Sequence, residues 1–204
     1  MHFNLDLAVN SFPLLLIGAG VTIQITALSV AVGIIIGLFA GIARISRVRA
    51  LRAFAAVYVD FFRGTPLLVQ LFLVYFALPA ISGQRIDPFV AAISACGINS
   101  GAYVAEIFRG GIEAVDPGQM EAARSLGLPY RIAMLRVVLP QAFRNVVPML
   151  FNEFITLLKE TSVAGYIGID DLTRAGQNIQ ALTLEHSQPL VMVALIYLAM
   201  VLVL

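Results

Sequence analysis

The sequence is poor in charged residues and in cysteine. Charged residues make up 12% of the 204 positions and hydrophobic residues 60%, whereas a soluble domain carries about 25% charged residues. This composition excludes an ordinary soluble domain and indicates a membrane protein. The single cysteine, Cys96, lies in an apolar run and cannot form an internal disulfide, so no disulfide framework is predicted.

Sequence motifs for binding nucleotides, metal ions and nucleic acids are also missing. A phosphate-binding loop requires a Gly-rich turn that ends in Gly-Lys-Ser/Thr, but the only lysine, Lys159, stands between Leu158 and Glu160. We therefore expect that the chain does not hydrolyse ATP and is not an enzyme. His2 and His186 have no metal-ligand spacing, so no metal site is predicted. No basic, aromatic surface suggests nucleic acid.

Five apolar stretches are long enough to cross a bilayer, which takes about 20 residues. They cover about 12–43, 54–81, 88–112, 137–158 and 189 to the end. The prediction is an all-α, polytopic membrane helical bundle of five transmembrane helices, forming one domain over residues 1–204. Gly33, Gly37 and Gly41 predict a smooth helix face for close approach of a neighbour. The absence of an inverted repeat argues mildly against the secondary transporters built from such repeats.

Basic residues give the orientation, because they concentrate in cytoplasmic loops. Two loops together hold eight arginines and the alternate two hold only Arg85 and Arg174; the eight are Arg44, Arg47, Arg49, Arg52, Arg109, Arg124, Arg131 and Arg136. This places the N-terminus outside and the loop around Glu121 in the cytoplasm. The first segment lacks a basic signal-peptide region, so we expect it to be retained. Five spans that start outside should end inside with a basic tail, so we expect a natural tail to be missing after Leu204.

The cytoplasmic segment 113–137 has a helical pattern of its own. Asp116-Pro117-Gly118 is a helix-start signal, and the short helix that follows should end at Gly127-Leu128-Pro129. A second amphipathic stretch covers 130–138. A short helix with small alanines can dock in a cleft of a partner protein, with Glu121 as a polar anchor. The alternative is an interfacial helix that lies on lipid headgroups.

The segment EAARSLGLPYRIAMLRVVLP, Glu121 to Pro140, resembles the coupling-loop signature of bacterial ABC importer permeases, with Val137 where isoleucine is common. FFRGTPLLVQLFLVYF, SGAYVAEIFRGGI and NEFITLLKETSVAGYIG are similar to segments of the polar amino-acid uptake branch of that family. The resemblance covers nearly the whole chain. It implies that the ATPase-coupling residues are Glu121, Ala122, Ala123, Gly127 and Pro140.

The resemblance also implies the partners. They are an ATP-binding cassette ATPase subunit, a second permease copy (identical or a close paralogue), an extracytoplasmic amino-acid-binding protein, and membrane lipid. ATP and Mg²⁺ would bind the ATPase, and no cofactor is expected on this chain. The location implied is the bacterial inner membrane. Alternating access would then be driven by ATP binding and hydrolysis on the partner.

Two glutamates in or just past the fourth span predict a substrate site. Charges there cost roughly 2.5–3.5 kcal/mol on insertion scales. Glu153 and Glu160 are seven residues apart, which places both on one helix face about 10 Å apart along the axis. One carboxylate would take the α-ammonium group of an amino acid, and the second would favour a cationic side chain such as that of arginine, lysine or histidine. The alternative is an internal ion pair with Lys159 or an arginine.

Other polar residues complete the predicted pocket. Thr161 and Ser162 follow Glu160, and hydroxyls or free backbone N–H groups would take the α-carboxylate. Asn99 belongs to a polar break, Asn99-Ser100-Gly101, that interrupts the third span; it either enters the pocket or makes an interhelical hydrogen bond. Glu106 and Arg109 are expected to pair on a helix surface. Asp170 and Asp171 could cap a helix, touch a binding protein or line the pocket entrance, and we favour capping.

The sequence therefore predicts the permease subunit of an ATP-driven amino-acid importer. A rival from another class is a self-sufficient ion-coupled transporter or channel, in which the glutamates would bind H⁺ or Na⁺. A stable complex with an ATPase would separate the two. A purely structural membrane scaffold would not need paired buried glutamates.

Overall fold

The computed structural model describes residues 4–204, and it is helical with no strand in that range. We number the helices α1 to α8 along the chain. The sixth contains a π turn, Met134–Val138, between Tyr130–Ala133 and Leu139–Glu160, and a 3₁₀ helix, Thr161–Ile167, follows it. The helices are α1 Leu5–Arg44, α2 Arg49–Gly64, α3 Leu67–Ser82, α4 Pro88–Glu113, α5 Pro117–Ser125, α6 130–160, α7 Leu172–Thr183 and α8 Gln188–Val203. The predicted all-α helical bundle is confirmed.

Helices α1 and α4 form the central pair of the bundle. A Cβ atom at Gly37 would lie 2.5 Å from the Val104 side chain, and one at Gly33 would lie 2.9 Å from Cβ of Ser100. Only glycine therefore permits this approach of the two backbones, as in other small-residue interfaces between membrane helices. The predicted smooth glycine face is confirmed, and it places Ser100 and its neighbours beside α1.

The second predicted span, 54–81, is wrong as a single helix. Helices α2 and α3 meet at 106°. Pro66 has no backbone N–H to continue a helix, and it forces Thr65 into an extended conformation with φ −121° and ψ 147°. The apolar residues on both sides hid this break in the hydropathy pattern.

The polar break predicted in the third span is also wrong, because α4 is one continuous helix through Asn99, Ser100 and Gly101. The side chains of Asn99 and Ser100 donate hydrogen bonds to other helices and leave the backbone ladder of α4 intact. Gly101 serves packing, since a Cβ there would lie 2.7 Å from the Tyr58 hydroxyl.

The number of spans stays a prediction. Leu5–Arg44 and Pro88–Glu113 are each long and apolar enough to cross a membrane, and the bent α2–α3 pair could form a third span. The final helix, Gln188–Val203, is apolar but short. The long helix of residues 130–160 begins in the predicted coupling segment, well before Val137, and its charged residues lower its hydropathy.

The two π turns share one cause, a proline two residues after each turn. Each turn, Leu73–Ala77 and Met134–Val138, ends one residue before a Leu-Pro pair, Leu78-Pro79 and Leu139-Pro140. A proline ring clashes with the carbonyl one turn earlier, and the wider π turn relieves that contact. Pro140 thus shapes the helix that links the predicted coupling segment to the bundle.

Helix α7 packs against α1 at the end of the bundle opposite Arg44. A Cβ at Gly18 would lie 2.9 Å from the backbone oxygen of Asp171, and the Leu172 N–H donates to Oγ1 of Thr22 at 3.1 Å. The Asp171 carboxylate accepts from the Arg174 N–H at 2.9 Å, so the predicted helix cap is confirmed. This junction fixes the position of Arg174.

Candidate substrate site and coupling surface

A cavity of about 550 Å³ opens between α2, α4 and α6. Two glutamates, Glu106 and Glu153, and one arginine, Arg63, supply its charges. The other lining residues are Tyr103, Ile107, Pro148, Met149 and Asn152. Opposite charges around a space of this size suit a small zwitterion, and the apolar residues suit the rest of such a molecule.

Glu153 is the least compensated charge in the cavity. The residue is only 8% exposed, and the Ser100 hydroxyl donates to its Oε1 at 2.9 Å. Within residues 4–204, every ion pair closer than 4.0 Å involves Glu106 or Arg109, so neither Glu153 nor Glu160 takes part in one. The internal ion pair considered as an alternative is absent from the described part of the chain.

Glu106 lies in the same cavity but is surrounded by cations. Arg44 of α1 contacts it at 2.9 Å and Arg109 of α4 at 2.7 Å, while Arg63 of α2 lies 3.8 Å away. The expected pair of Glu106 and Arg109 is therefore confirmed and extended, because the arginines join three helices at one carboxylate. Arg109 also reaches Glu113 at 2.6 Å.

The sequence prediction missed Arg63 as a cavity residue. Its guanidinium lies 5.4 Å from the centroid of the Tyr103 ring, a cation–π distance, and its side chain is 43% exposed. Since its ion-pair distance of 3.8 Å to Glu106 is long, donors of Arg63 remain free for a ligand. The only signal in the sequence is an arginine immediately before the Gly-Thr-Pro break.

The remaining predicted pocket residues lie apart from this cavity's lining. Glu160 is exposed and ends α6, two turns beyond Glu153 on the same helix face. Thr161 is fully buried, donates to the Leu158 carbonyl at 2.9 Å and lies 3.3 Å from the Thr26 hydroxyl. Ser162 lines a different cavity farther along the chain.

Asn99 supports the bend between α2 and α3. Its amide donates to the Phe62 carbonyl at 3.2 Å and to Oε1 of Gln70 at 2.9 Å. Gln70 in turn donates to the carbonyls of Phe62 and Thr65, at 2.9 and 3.0 Å. These amides satisfy carbonyls that the helix break leaves without backbone partners. The contacts of Asn99 match the interhelical hydrogen bond considered as its alternative role.

The predicted coupling segment, residues 113–137, folds as its sequence predicts. The Asp116 carboxylate caps α5 by accepting from the Gly118 N–H at 2.7 Å, and Gly127 ends the helix with a φ of +83° that favours glycine. Glu121, Ala122, Gly127 and Pro140 are exposed, whereas Ala123 is 4% exposed and packs inside its own chain. Leu126 at the tip is 84% exposed, an apolar group that the prediction missed.

No group of three or more residues that could hold a metal ion occurs within residues 4–204. The geometry there is that of a charged cavity joined by one long helix, α6, to the exposed helix α5.

Comparisons with known proteins agree with this geometry. Residues 33–204 match the family of binding-protein-dependent transport system inner membrane components. The chain is 42% identical over 204 residues to the arginine transport system permease protein ArtQ of Bacillus subtilis (strain 168), covering 100% of this chain and 93% of that protein. It is 41% identical over 184 residues to the putative glutamine transport system permease protein GlnP of Rickettsia conorii (strain ATCC VR-613 / Malish 7), covering 90% and 84% respectively.

A solved structure shows the same fold. The crystal structure of an amino acid ABC transporter with histidines superposes with a TM-score of 0.95 at 44% identity, covering 100% of this chain and 94% of that one. Family, sequence and fold therefore agree over the described helices. The chain belongs to the family of binding-protein-dependent transport system inner membrane components, and within it to the amino-acid ABC transporter permeases.

Proposed function

We propose that this chain binds its amino acid in the cavity between α2, α4 and α6, and that a partner ATPase drives the transport. The observation that carries the proposal is Glu153, which is 8% exposed and lacks an ion-pair partner within residues 4–204. A buried charge without a partner is costly. A cationic group on a substrate would offset that cost.

The cavity presents both charges that an α-amino acid requires. The Glu153 carboxylate takes the α-ammonium group, and the Arg63 guanidinium takes the α-carboxylate as a planar, two-pronged donor. The side chain of the substrate then extends along α6. This assignment replaces the hydroxyls of Thr161 and Ser162 as carboxylate donors, because Thr161 is buried against Leu158 and Thr26 and Ser162 lies outside this cavity.

The substrate is a polar amino acid with a cationic side chain: arginine, lysine or histidine. Glu160 supports this choice, because a second carboxylate on the same face of α6, about 10 Å away along the axis, can receive a distal positive charge. The likeness to ArtQ, which is described as an arginine transport permease, points the same way. The likeness to the putative glutamine permease keeps glutamine as the competing substrate.

The ATPase would dock on α5. Glu121 and Ala122 are exposed there, and Leu126 offers an 84% exposed apolar group at the tip. Ala123 would not contact the ATPase directly, and it would hold α5 in place by packing against its own chain. Gln141 of α6 donates to Gln119 of α5 at 3.1 Å, so a force on α5 reaches the helix that carries Glu153. The lipid-surface alternative predicts that Leu126 contacts headgroups instead.

The assembly would contain two permease chains, identical or closely related, two ATPase subunits that bind ATP and Mg²⁺, and an extracytoplasmic binding protein. The N-terminus would lie on the extracytoplasmic side of the bacterial inner membrane. This chain would contribute no nucleotide site. ATP binding would draw the two α5 helices together and open the cavity toward the outside. Hydrolysis would then open the cavity toward the cytoplasm, where the substrate is released.

Uptake by the reconstituted complex tests the proposal. Proteoliposomes that contain permease, ATPase and binding protein are assayed with radiolabelled arginine, lysine, histidine and glutamine. Wild type is compared with Glu153→Gln, Glu160→Gln and, as a matched control, Glu185→Gln on an exposed loop. We expect ATP-dependent uptake, a loss in Glu153→Gln, and a shift from arginine toward glutamine in Glu160→Gln. Unchanged preference in both variants would contradict the site, and uphill uptake without the ATPase would establish the ion-coupled rival.

A further inference from the structure

A second cavity, of about 350 Å³, opens just beyond the end of α6. It lies between the 3₁₀ helix, the first turns of α7 and the start of α3. Five polar side chains line it: Ser162, Tyr166, Thr173, Arg174 and Gln177. On the orientation given by the arginine distribution, this cavity faces the outside, and we call it the outer cavity.

Arg174 is the only charged residue that lines the outer cavity. Its backbone N–H is held by the Asp171 carboxylate at 2.9 Å. Its stem crosses Gly165, where an added Cβ would lie 3.3 Å from Cβ and 3.8 Å from Cδ of Arg174. Within residues 4–204 no carboxylate lies within 4.0 Å of its guanidinium, because every ion pair there involves Glu106 or Arg109. The stem is thus positioned while the charged head is free.

The polar neighbours of Arg174 have free hydrogen-bonding groups as well. The side chains of Ser162, Tyr166 and Gln177 make no hydrogen bond to the protein in the part of the chain that the structure describes. By contrast, Thr173 in the same lining is engaged by Tyr197 at 3.1 Å. A guanidinium with a hydroxyl and an amide beside it is a donor set for a carboxylate.

We propose that the outer cavity is a carboxylate-binding subsite, in which Arg174 takes the α-carboxylate of the incoming amino acid before the molecule reaches Glu160 and Glu153. The inference rests on the proposed function. The carboxylate could instead come from an acidic side chain of the binding protein. We assign it to the free amino acid, because the site is a concave cavity within the size range of small-molecule pockets, 300–1,000 Å³.

The two cavities would then act in sequence. Ser162 follows Glu160 by two residues, so the outer cavity adjoins the end of the face that bears both glutamates. An arginine and a glutamate would be available at each stage, Arg174 with Glu160 outside and Arg63 with Glu153 inside. A zwitterionic amino acid could therefore move from the pair Arg174 and Glu160 to the pair Arg63 and Glu153.

The test uses the full complex with its binding protein in proteoliposomes and radiolabelled L-arginine and L-glutamine as probes. Arg174→Gln removes the charge, and Arg174→Lys keeps the charge but loses the planar fork. Gly165→Ala keeps the charge but displaces its support, because the added Cβ would lie 3.2 Å from the capping Oδ1 of Asp171 and 3.3 Å from Cβ of Arg174. Arg85→Gln, at an exposed position near the turn after α3, is the matched control. Two quantities are measured: uptake at saturating loaded binding protein, and the binding-protein concentration that gives half-maximal uptake.

We expect Arg174→Gln to lower saturated uptake about tenfold or more, the loss of a charged hydrogen bond. The half-saturating concentration of binding protein should change by less than about twofold. Arg174→Lys and Gly165→Ala should fall between wild type and Arg174→Gln, and Arg85→Gln should match wild type. If Arg174→Gln does not assemble, Gly165→Ala and Arg174→Lys test the same inference, because each should lower saturated uptake and leave the half-saturating concentration unchanged.

Two results would overturn the inference. A raised half-saturating concentration with normal saturated uptake would assign Arg174 to the binding protein. Normal values for both quantities, with Glu153→Gln still defective, would remove Arg174 from the path and leave the proposed function standing. Wild-type complex that imports no amino acid would instead contradict the proposed function itself.

Discussion

Glu106 and Glu153 line the same cavity, yet they have opposite surroundings. Glu106 lies close to Arg44, Arg109 and Arg63, whereas the Glu153 carboxylate accepts one hydrogen bond, from Ser100. The first carboxylate joins three helices and is neutralised within the chain. The second is left to be neutralised by something that enters the cavity. In this permease, the presence of a charge in a span says less about its role than the number of its partners does.

Removing the compensated glutamate should have the largest effect on stability. Glu106→Gln would leave Arg44 and Arg109 with a weaker acceptor, at a cost of about 2–3 kcal/mol, below the range for fully buried pairs because all these side chains are partly exposed. We expect the melting temperature of the purified protein to fall by roughly 4–12 °C. Uptake per assembled complex should be largely retained. A stable Glu106→Gln protein that cannot transport would reverse the roles of the two residues.

Glu153→Gln should show the opposite behaviour. Glutamine can still accept the hydrogen bond from Ser100, and the change removes a buried charge that has no ion-pair partner within the described residues, so the melting temperature should stay at or above the wild-type value. Uptake should fall about 10- to 100-fold, because a charged contact to the substrate is lost. Melting curves and initial uptake rates of the same preparation check both statements. A large loss of stability would show that Glu153 serves the bundle in the way that Glu106 does.

The sequence predicted local features well and tertiary partners poorly. Asp116 and Gly127 bound the short helix α5 as expected, and the glycine face of α1 packs as its four-residue spacing indicates. These features depend on neighbours along the chain. The partner of Glu106 on α1, Arg44, is 62 residues away, so no local pattern could identify it.

The same limit explains the errors. Proline disfavours a continuous helix, but the apolar residues on both sides of Pro66 resemble one span, and only the fold shows the 106° bend. Asn99 stood out as a polar residue in a span, yet its partner Gln70 belongs to another helix. The sequence assigns Arg63 to neither a basic loop nor the predicted pocket, because its position in the cavity depends on that bend.

Asn99 is a polar residue near the cavity whose hydrogen bonds stabilise the bend between α2 and α3. Asn99→Ala would remove one donor to the Phe62 carbonyl and the partner of Gln70 Oε1, for a loss of about 1–2 kcal/mol. The preference between arginine and glutamine should not change. Denaturation and competitive uptake, measured in parallel, check this outcome. A changed preference with normal stability would return Asn99 to the substrate site.

Ser100→Ala should have the smallest effect. The variant removes the only hydrogen bond that the Glu153 carboxylate receives within the described residues, and such bonds contribute about 0.5–1.5 kcal/mol in neutral pairs and more in charged ones. We expect a few-fold rise in the KM for arginine and an unchanged maximal rate, since the carboxylate itself remains. No change in KM would show that Ser100 does not orient Glu153 for the substrate.

The most direct measurement is a high-resolution structure of the full transporter with arginine bound. The proposal predicts ligand density in the cavity between α2, α4 and α6, with the α-ammonium group at hydrogen-bonding distance from Glu153 and the α-carboxylate on Arg63. Density at another site, with Glu153 paired to an arginine of the protein, would contradict it.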